Sequence, residues 1–293
     1  MKFEGCYTAL ATPFSLDGIL DEEAYRRMIH RQMAGGVAGL VPCGSTGEAA
    51  TLLHEEYRHA ISVCVQEARG KIPVIAGVGS NSTAKAVALA KEAADLGAHA
   101  LLVLAPYYNK PTQEGIVLHF KAIASAVRLP IMAYNIPGRT AVNILPKTLA
   151  RMAREIPTVI AVKEASGSVD QIGEVLSMVP HHFSVLSGDD ALTLPLISIG
   201  AKGVVSVMSN VAPRQTVQLC AAALKGDMAH ARAIHLKSQP LIKALFIETN
   251  PIPVKAALEM MHLCRGEPRL PLTPLSAEHR PALKAALKSF GLL

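Results

Sequence analysis

Val159-Ile160-Ala161-Val162-Lys163-Glu164-Ala165 is the stretch on which the fold turns. It is apolar until a charged pair closes it, and it is too short for a helix, as expected of a strand covered on both faces. Period-two alternation puts Val159, Ala161 and Lys163 on one face. Seven other runs have the same form: Tyr7–Thr12, Gly39–Cys43, Pro73–Val78, Ala100–Ala105, Pro130–Asn135, Phe183–Ser187 and Gly203–Met208. Amphipathic stretches separate them. Tyr25, Met28, Ile29 and Met33 fall at helical spacing behind Asp21, an expected N-cap, and Ser82-Thr83 opens an alanine-rich helix that closes at Gly97. Buried strands alternating with helices imply a parallel sheet. Eight such units within about 225 residues fit an α/β fold of the TIM (β/α)₈ barrel type. A doubly wound open sheet competes, but the first strand lacks the G-x-G-x-x-G turn of that fold. After Pro213 the pattern is helical only, over 214–225, 228–248, 251–264 and 276–290. Pro240 is expected to kink the second of these, and Pro271 and Pro274 to mark a linker. The expected organisation is a barrel with the active site over 1–224 and a small C-terminal helical appendage over 225–293.

Composition narrows the function. The chain has 293 residues, half of them hydrophobic, yet no apolar run reaches the ~18 residues of a membrane span. Met1-Lys2-Phe3-Glu4-Gly5 carries an acid and leads into no long apolar region, so a signal peptide is not expected. Cys6, Cys43, Cys64, Cys220 and Cys264 are scattered singly, which suggests neither a zinc site nor a disulfide framework and points to the cytoplasm. The net charge of +6 is spread along the chain, and only 4% of residues are aromatic. No nucleic acid and no membrane partner is expected, and the charge adds at most a bias toward small anionic substrates.

In a barrel of this kind the reactive groups stand at the C-terminal ends of the strands. Lys163 would put an amine at the barrel mouth, where burying an ammonium is costly and a neutral nucleophilic amine is favoured. A strand-end lysine paired with an acid or reaching solvent is the plainer reading. Tyr134, on the face of Met132, can reach the same mouth as a proton carrier or serve as an ordinary core tyrosine. Gly44-Ser45-Thr46-Gly47-Glu48 follows the second strand; its N–H groups could cradle a carboxylate, or it could be a plain turn. It lacks the Gly-Lys-Ser/Thr ending of a nucleotide loop. Tyr107-Tyr108 suggests an interface, a site or a loop anchor. His181-His182 point apart, and Asp189-Asp190 reads as a helix cap rather than a metal pair. Together these strand ends hold an amine, a proton shuttle and a carboxylate holder, which is the equipment of imine chemistry, and no carboxylate/histidine cluster for a metal. No cofactor and no metal is expected.

Gly44-Ser45-Thr46-Gly47-Glu48, Tyr134-Asn135-Ile136-Pro137-Gly138-Arg139-Thr140, Val162-Lys163-Glu164-Ala165-Ser166-Gly167 and Ser187-Gly188-Asp189-Asp190, in that order, resemble the motifs of the 4-hydroxy-tetrahydrodipicolinate (dihydrodipicolinate) synthase family. The resemblance runs from about Tyr7 to the C-terminal helices and lies within a superfamily that includes N-acetylneuraminate lyase and keto-deoxy sugar-acid aldolases. It implies that Lys163 forms a Schiff base with pyruvate and that the enamine attacks L-aspartate 4-semialdehyde. Thr46 would hold the pyruvate carboxylate, with Val205 and Gly188 beside it. Tyr134 would shuttle protons, Ser45 and a neighbouring subunit's Tyr108 would relay them, and Arg139 would receive the semialdehyde carboxylate. A homotetramer of two tight dimers is implied. The relay position usually carries Thr, so Ser45 keeps the hydroxyl and loses a positioning methyl.

Many members are inhibited by L-lysine at a cleft matching Ala49, Ala50, His54, Tyr57, Asn81, Lys85 and Tyr107. Inhibited members carry Ser, His and Glu where this chain has Ala49, Tyr57 and Lys85, so weak inhibition or none is expected. Two rivals stay open: another pyruvate-dependent aldolase or lyase, which would need hydroxyl partners where Arg139 stands, and a catalytically silent barrel, against which the retained lysine, tyrosine and hydroxyls argue.

Overall fold

The computed structural model describes residues 1–293. The strands are β1 (Gly5–Ala9), β2 (Gly39–Val41), β3 (Ile75–Gly77), β4 (Ala100–Leu104), β5 (Ile131–Asn135), β6 (Val159–Glu164), β7 (Ser184–Ser187) and β8 (Gly203–Ser206). They pair in parallel in the order β2-β1-β8-β7-β6-β5-β4-β3, and a parallel bridge between Leu40 and Val74 joins the two ends. Helices follow the strands: α1 (Glu22–Gly35), α2 (His54–Ala68), α3 (Thr83–Asp95), α4 (Gln113–Ala126), α5 (Pro137–Thr140), α6 (Pro146–Glu155), α7 (Val169–Met178), α8 (Thr193–Ser198) and α9 (Pro213–Leu224). Then come α10 (Met228–Leu245), α11 (Ile252–Met260) and α12 (Arg280–Phe290). This is the expected (β/α)₈ barrel followed by C-terminal helices.

The expected caps are in place. The Asp21 carboxylate accepts from the Ala24 N–H, and Gly97 closes the alanine-rich helix with a φ of 86°. Most strands end before their apolar runs do. Cys43 adopts a φ of 55° and turns the chain out of the β2 ladder, and Met208 begins a tight turn after β8. The expected 276–290 helix starts only at Arg280, because Ser276 and His279 are drawn to the Glu248 carboxylate. Helices 228–248 and 251–264 stop at Leu245 and Met260, and Pro240 sits within the unbroken α10. No helix is long and apolar enough to cross a membrane.

Two apolar layers result. Residues inside the barrel, among them Tyr7, Leu102, Met132, Tyr134, Ala161, Leu186 and Val205, form an inner layer of 12 buried side chains. A larger layer of 71 fills the space between strands and helices. One detail of the β6 reading is corrected. Val159 belongs to the outer layer, while Ile160 packs against the inner one. Ile131 pairs with Val159 but Met132 pairs with Ala161, so the register slips by one residue and the alternation restarts. From Ala161 onward the reading holds, and Lys163 stays on the inner face.

Candidate active site

The parallel register of β5 and β6 places Tyr134 opposite Lys163. Adjacent strands lie about 4.8 Å apart, so two inward side chains at one level must meet. The Lys163 Nζ lies 4.3 Å from the centroid of the Tyr134 ring. Both residues are 5% exposed. The chain's other deeply buried lysine, Lys255, is paired with Glu48, whereas Lys163 has no carboxylate partner. That removes both plain readings of the β6 lysine: it neither reaches solvent nor sits in an ion pair. Its backbone neighbour Glu164 points to the opposite side, where Asn135 Nδ2 and the Ser166 N–H donate to its carboxylate, and burial pushes that carboxyl above its ordinary value.

Gly188 fits close over the lysine stem. A Cβ there would lie 2.6 Å from the Ala165 Cβ and 3.2 Å from the Lys163 Cε, and the Gly188 N–H donates to the Glu164 carbonyl at 2.7 Å. Asp189 caps the next turn by accepting from the Ala191 N–H. Asp190 has a different role from the expected one. It is buried, and it accepts from the Ser206 hydroxyl and the Val207 and Met208 N–H groups, so it holds the end of β8. Val205, one residue inside that end, is fully buried in the inner layer and can serve only as a wall or floor.

The 44–48 turn is folded on itself. The Gly47 N–H donates to the Gly44 carbonyl, and the Glu48 N–H to the Ser45 carbonyl. The Ser45 and Thr46 N–H groups are used by neither bond, which leaves two adjacent donors suited to a carboxylate. The Thr46 hydroxyl accepts from Asn250 Nδ2 at 3.0 Å, and the Asn250 carbonyl accepts from Arg139 Nη2 at 2.7 Å. One residue thus ties Thr46 and Arg139 into a single cluster. Sequence reading missed Asn250. Its signal was the segment Asn250-Pro251-Ile252-Pro253-Val254-Lys255, in which an amide and a lysine flank apolar residues and two prolines.

Ser45 and Tyr134 line a cavity of about 810 Å³ that also reaches Ala49, Ala50, His54, Tyr57, Lys85 and Tyr107. Asn81 does not line it; its carbonyl accepts from Asn109 Nδ2. Glu92 lines the cavity instead, a residue not foreseen. One of its oxygens takes Arg58 and His54, while the other is buried and unpartnered, as is the nearby Tyr57 hydroxyl. Lys85 is exposed and has no ion-pair partner. Tyr108 is 86% exposed with a φ of 73°, a strained conformation for a tyrosine, and does not line this chain's cavity. His181 and His182 are exposed before β7, at the barrel end away from Lys163.

Among curated proteins, the 4-hydroxy-tetrahydrodipicolinate synthase of Maridesulfovibrio salexigens is 50% identical over 100% of both chains. Two solved structures superpose with a TM-score of 0.97 and cover 99% of both chains. One is the dihydrodipicolinate synthase of Cyanidioschyzon merolae with lysine bound, at 41% identity. The other is the chloride-inhibited dihydrodipicolinate synthase of Acinetobacter baumannii complexed with pyruvate, at 42% identity. A sequence profile of the Dihydrodipicolinate synthetase family matches residues 2–290. With the barrel, the facing Lys163 and Tyr134, and these matches over the whole length, the chain belongs to the Dihydrodipicolinate synthetase family.

Proposed function

We propose that this chain condenses pyruvate with L-aspartate 4-semialdehyde through a Schiff base on Lys163, yielding 4-hydroxy-tetrahydrodipicolinate for lysine and diaminopimelate biosynthesis. The observation that carries the reading is a buried amine without a counter-ion beside a tyrosine ring, 4.3 Å away. Lys163 adds to the pyruvate ketone and water leaves, forming the imine. The Ser45 and Thr46 N–H groups and the Thr46 hydroxyl receive the pyruvate carboxylate. Tyr134 moves the protons that convert the imine to the enamine. The enamine attacks the semialdehyde, and the substrate's own amine then closes the ring and displaces Lys163. Ser45 passes protons from Tyr134 along the shared cavity. Tyr108, outside its own chain's cavity, serves a neighbouring subunit in a homotetramer, and the enzyme works in the cytoplasm. A coupled assay with pyruvate and aspartate semialdehyde, run beside N-acetylneuraminate and keto-deoxy sugar acids, tests the assignment. Turnover of a sugar acid in preference to the semialdehyde would overturn it.

Arg139 is the third residue of the four-residue α5, exposed except for its bond to Asn250. Arg139→Ala is expected to lower kcat/KM for the semialdehyde by about 10- to 150-fold, the worth of a charge-assisted bond at roughly 1.5–3 kcal/mol. Pyruvate trapping by borohydride should change by less than about threefold, since only the indirect link through Asn250 reaches Thr46. Equal damage to both half-reactions would contradict this role.

L-Lysine is expected to inhibit weakly, with half-inhibition above ~1 mM. The effector's ammonium groups would meet Lys85 as a like charge. At ~4 Å and an effective dielectric near 20, reversing one charge swings about 4 kcal/mol of attraction into a similar repulsion, and a quarter of that swing exceeds tenfold in affinity. Glu92 offsets this only in part: one of its oxygens is unpartnered at the cavity wall, but its charge is already shared with Arg58 and His54 through the other. Lys85→Glu should bring the half-inhibition down by at least about tenfold. Sub-millimolar inhibition of the unaltered chain would refute the assignment.

A further inference from the structure

Glu48 closes the 44–48 turn with a φ of 54° and sends its side chain away from the cavity, into the seam between the barrel and the C-terminal helices. There its carboxylate is 1% exposed and meets Lys255 Nζ at 2.5 Å, with the lysine side chain at 0%. The Arg269 N–H donates to its other oxygen at 2.8 Å. Lys255 Nζ and the Arg269 guanidinium both lie against the Phe14 ring, 4.2 and 4.1 Å from its centroid. Arg269 is held in turn by the Gly18 and Thr51 carbonyls and by Glu56.

A buried ion pair is a poor device for stability, since apolar residues of like volume commonly do as well or better. What it supplies is geometry: the carboxylate has one place where its lone pairs are satisfied. Glu48 lies two residues from Thr46, and the intervening Gly47 carbonyl is pinned by the Thr12 hydroxyl at 2.8 Å. The turn therefore has no slack between the ion pair and the threonine.

We propose that Glu48, Lys255 and Arg269 are positioning residues that set pyruvate affinity from outside the barrel, by fixing the Thr46 turn against the C-terminal helices. This rests on the reading of Thr46 as the holder of the pyruvate carboxylate. It also makes the coupling reciprocal: pyruvate bound at Thr46 must tighten the docking of α11 and of the segment around Arg269.

The test is the paired variant Glu48→Gln/Lys255→Met, which removes both charges and leaves none buried alone. Its pyruvate half-saturation in borohydride trapping should rise about tenfold or more, as small misplacements of a binding group do. The rate at saturating pyruvate should fall far less, with the melting temperature close to that of the unaltered chain. Unchanged half-saturation, whatever the melting temperature, overturns the positioning role while leaving the Schiff-base reading intact. Failure of the unaltered chain to trap pyruvate overturns both. If the variant does not fold, amide hydrogen exchange in the unaltered chain decides. Pyruvate should slow exchange in residues 252–260 and 267–270 as well as in 44–48, and protection confined to the barrel mouth overturns the proposal.

Discussion

Lys163→Ala is expected to abolish condensation, with a loss of at least about 10³-fold, and to remove the pyruvate-derived mass that borohydride fixes on the unaltered chain. The expectation is specific because the chain buries two lysines in different company. Lys255 is locked against Glu48 at 2.5 Å and its side chain is fully buried, so its lone pair is tied up as an ammonium in an ion pair. Lys163 has no carboxylate partner, and its Nζ faces the Tyr134 ring. Lys163→Arg separates the two things a lysine offers. It keeps a cation of similar reach, yet the guanidinium does not form the imine, so it should be as inactive as the alanine variant. Peptide mapping should put one adduct per chain on the β6 peptide. An adduct mapped to Lys255, or activity recovered in Lys163→Arg, would sink the covalent role.

Tyr134→Phe is expected to lower kcat by about 10²- to 10⁴-fold, the usual worth of a positioned proton carrier. The structure makes this a clean substitution. Tyr134 belongs to the inner apolar layer with Met132 and Leu186, and phenylalanine fills the same space, so the melting temperature should hold. The ring that faces Lys163 Nζ is also retained. What disappears is one hydroxyl at the cavity shared with Ser45. Imine formation should slow together with the full reaction, because both require proton transfer at the same carbon and nitrogen. A loss smaller than about tenfold would leave Tyr134 a packing residue only.

The β6 reading shows how far local pattern reaches. Period-two alternation correctly turned Lys163 inward, and the parallel register then set Tyr134 opposite it. The same alternation failed at Val159, because the slip opposite Ile131 and Met132 is a property of two paired strands and not of either run alone. Asp189 was legible as a cap because capping is a contact over two or three residues. Asp190 was not, because its partners Ser206, Val207 and Met208 lie 16 to 18 residues away, at and just beyond the end of β8.

By itself the amino-acid sequence determined the barrel and the placing of a lysine, a tyrosine and turn hydroxyls at the C-terminal ends of its strands. These follow from periodicities and caps written over a few residues. Tertiary structure alone decided how the barrel mouth is held. Glu48 and Lys255 are 207 residues apart, Thr46 and Asn250 are 204 apart, and Arg139 reaches Asn250 across 111. No local pattern announces such pairs. A buried charge or amide can be satisfied by any complementary group the fold brings near, and which group arrives depends on how the C-terminal helices dock on the barrel. The same holds for Glu92, a surface-type residue by pattern, which becomes part of the cavity wall only once α2 and α3 have packed side by side.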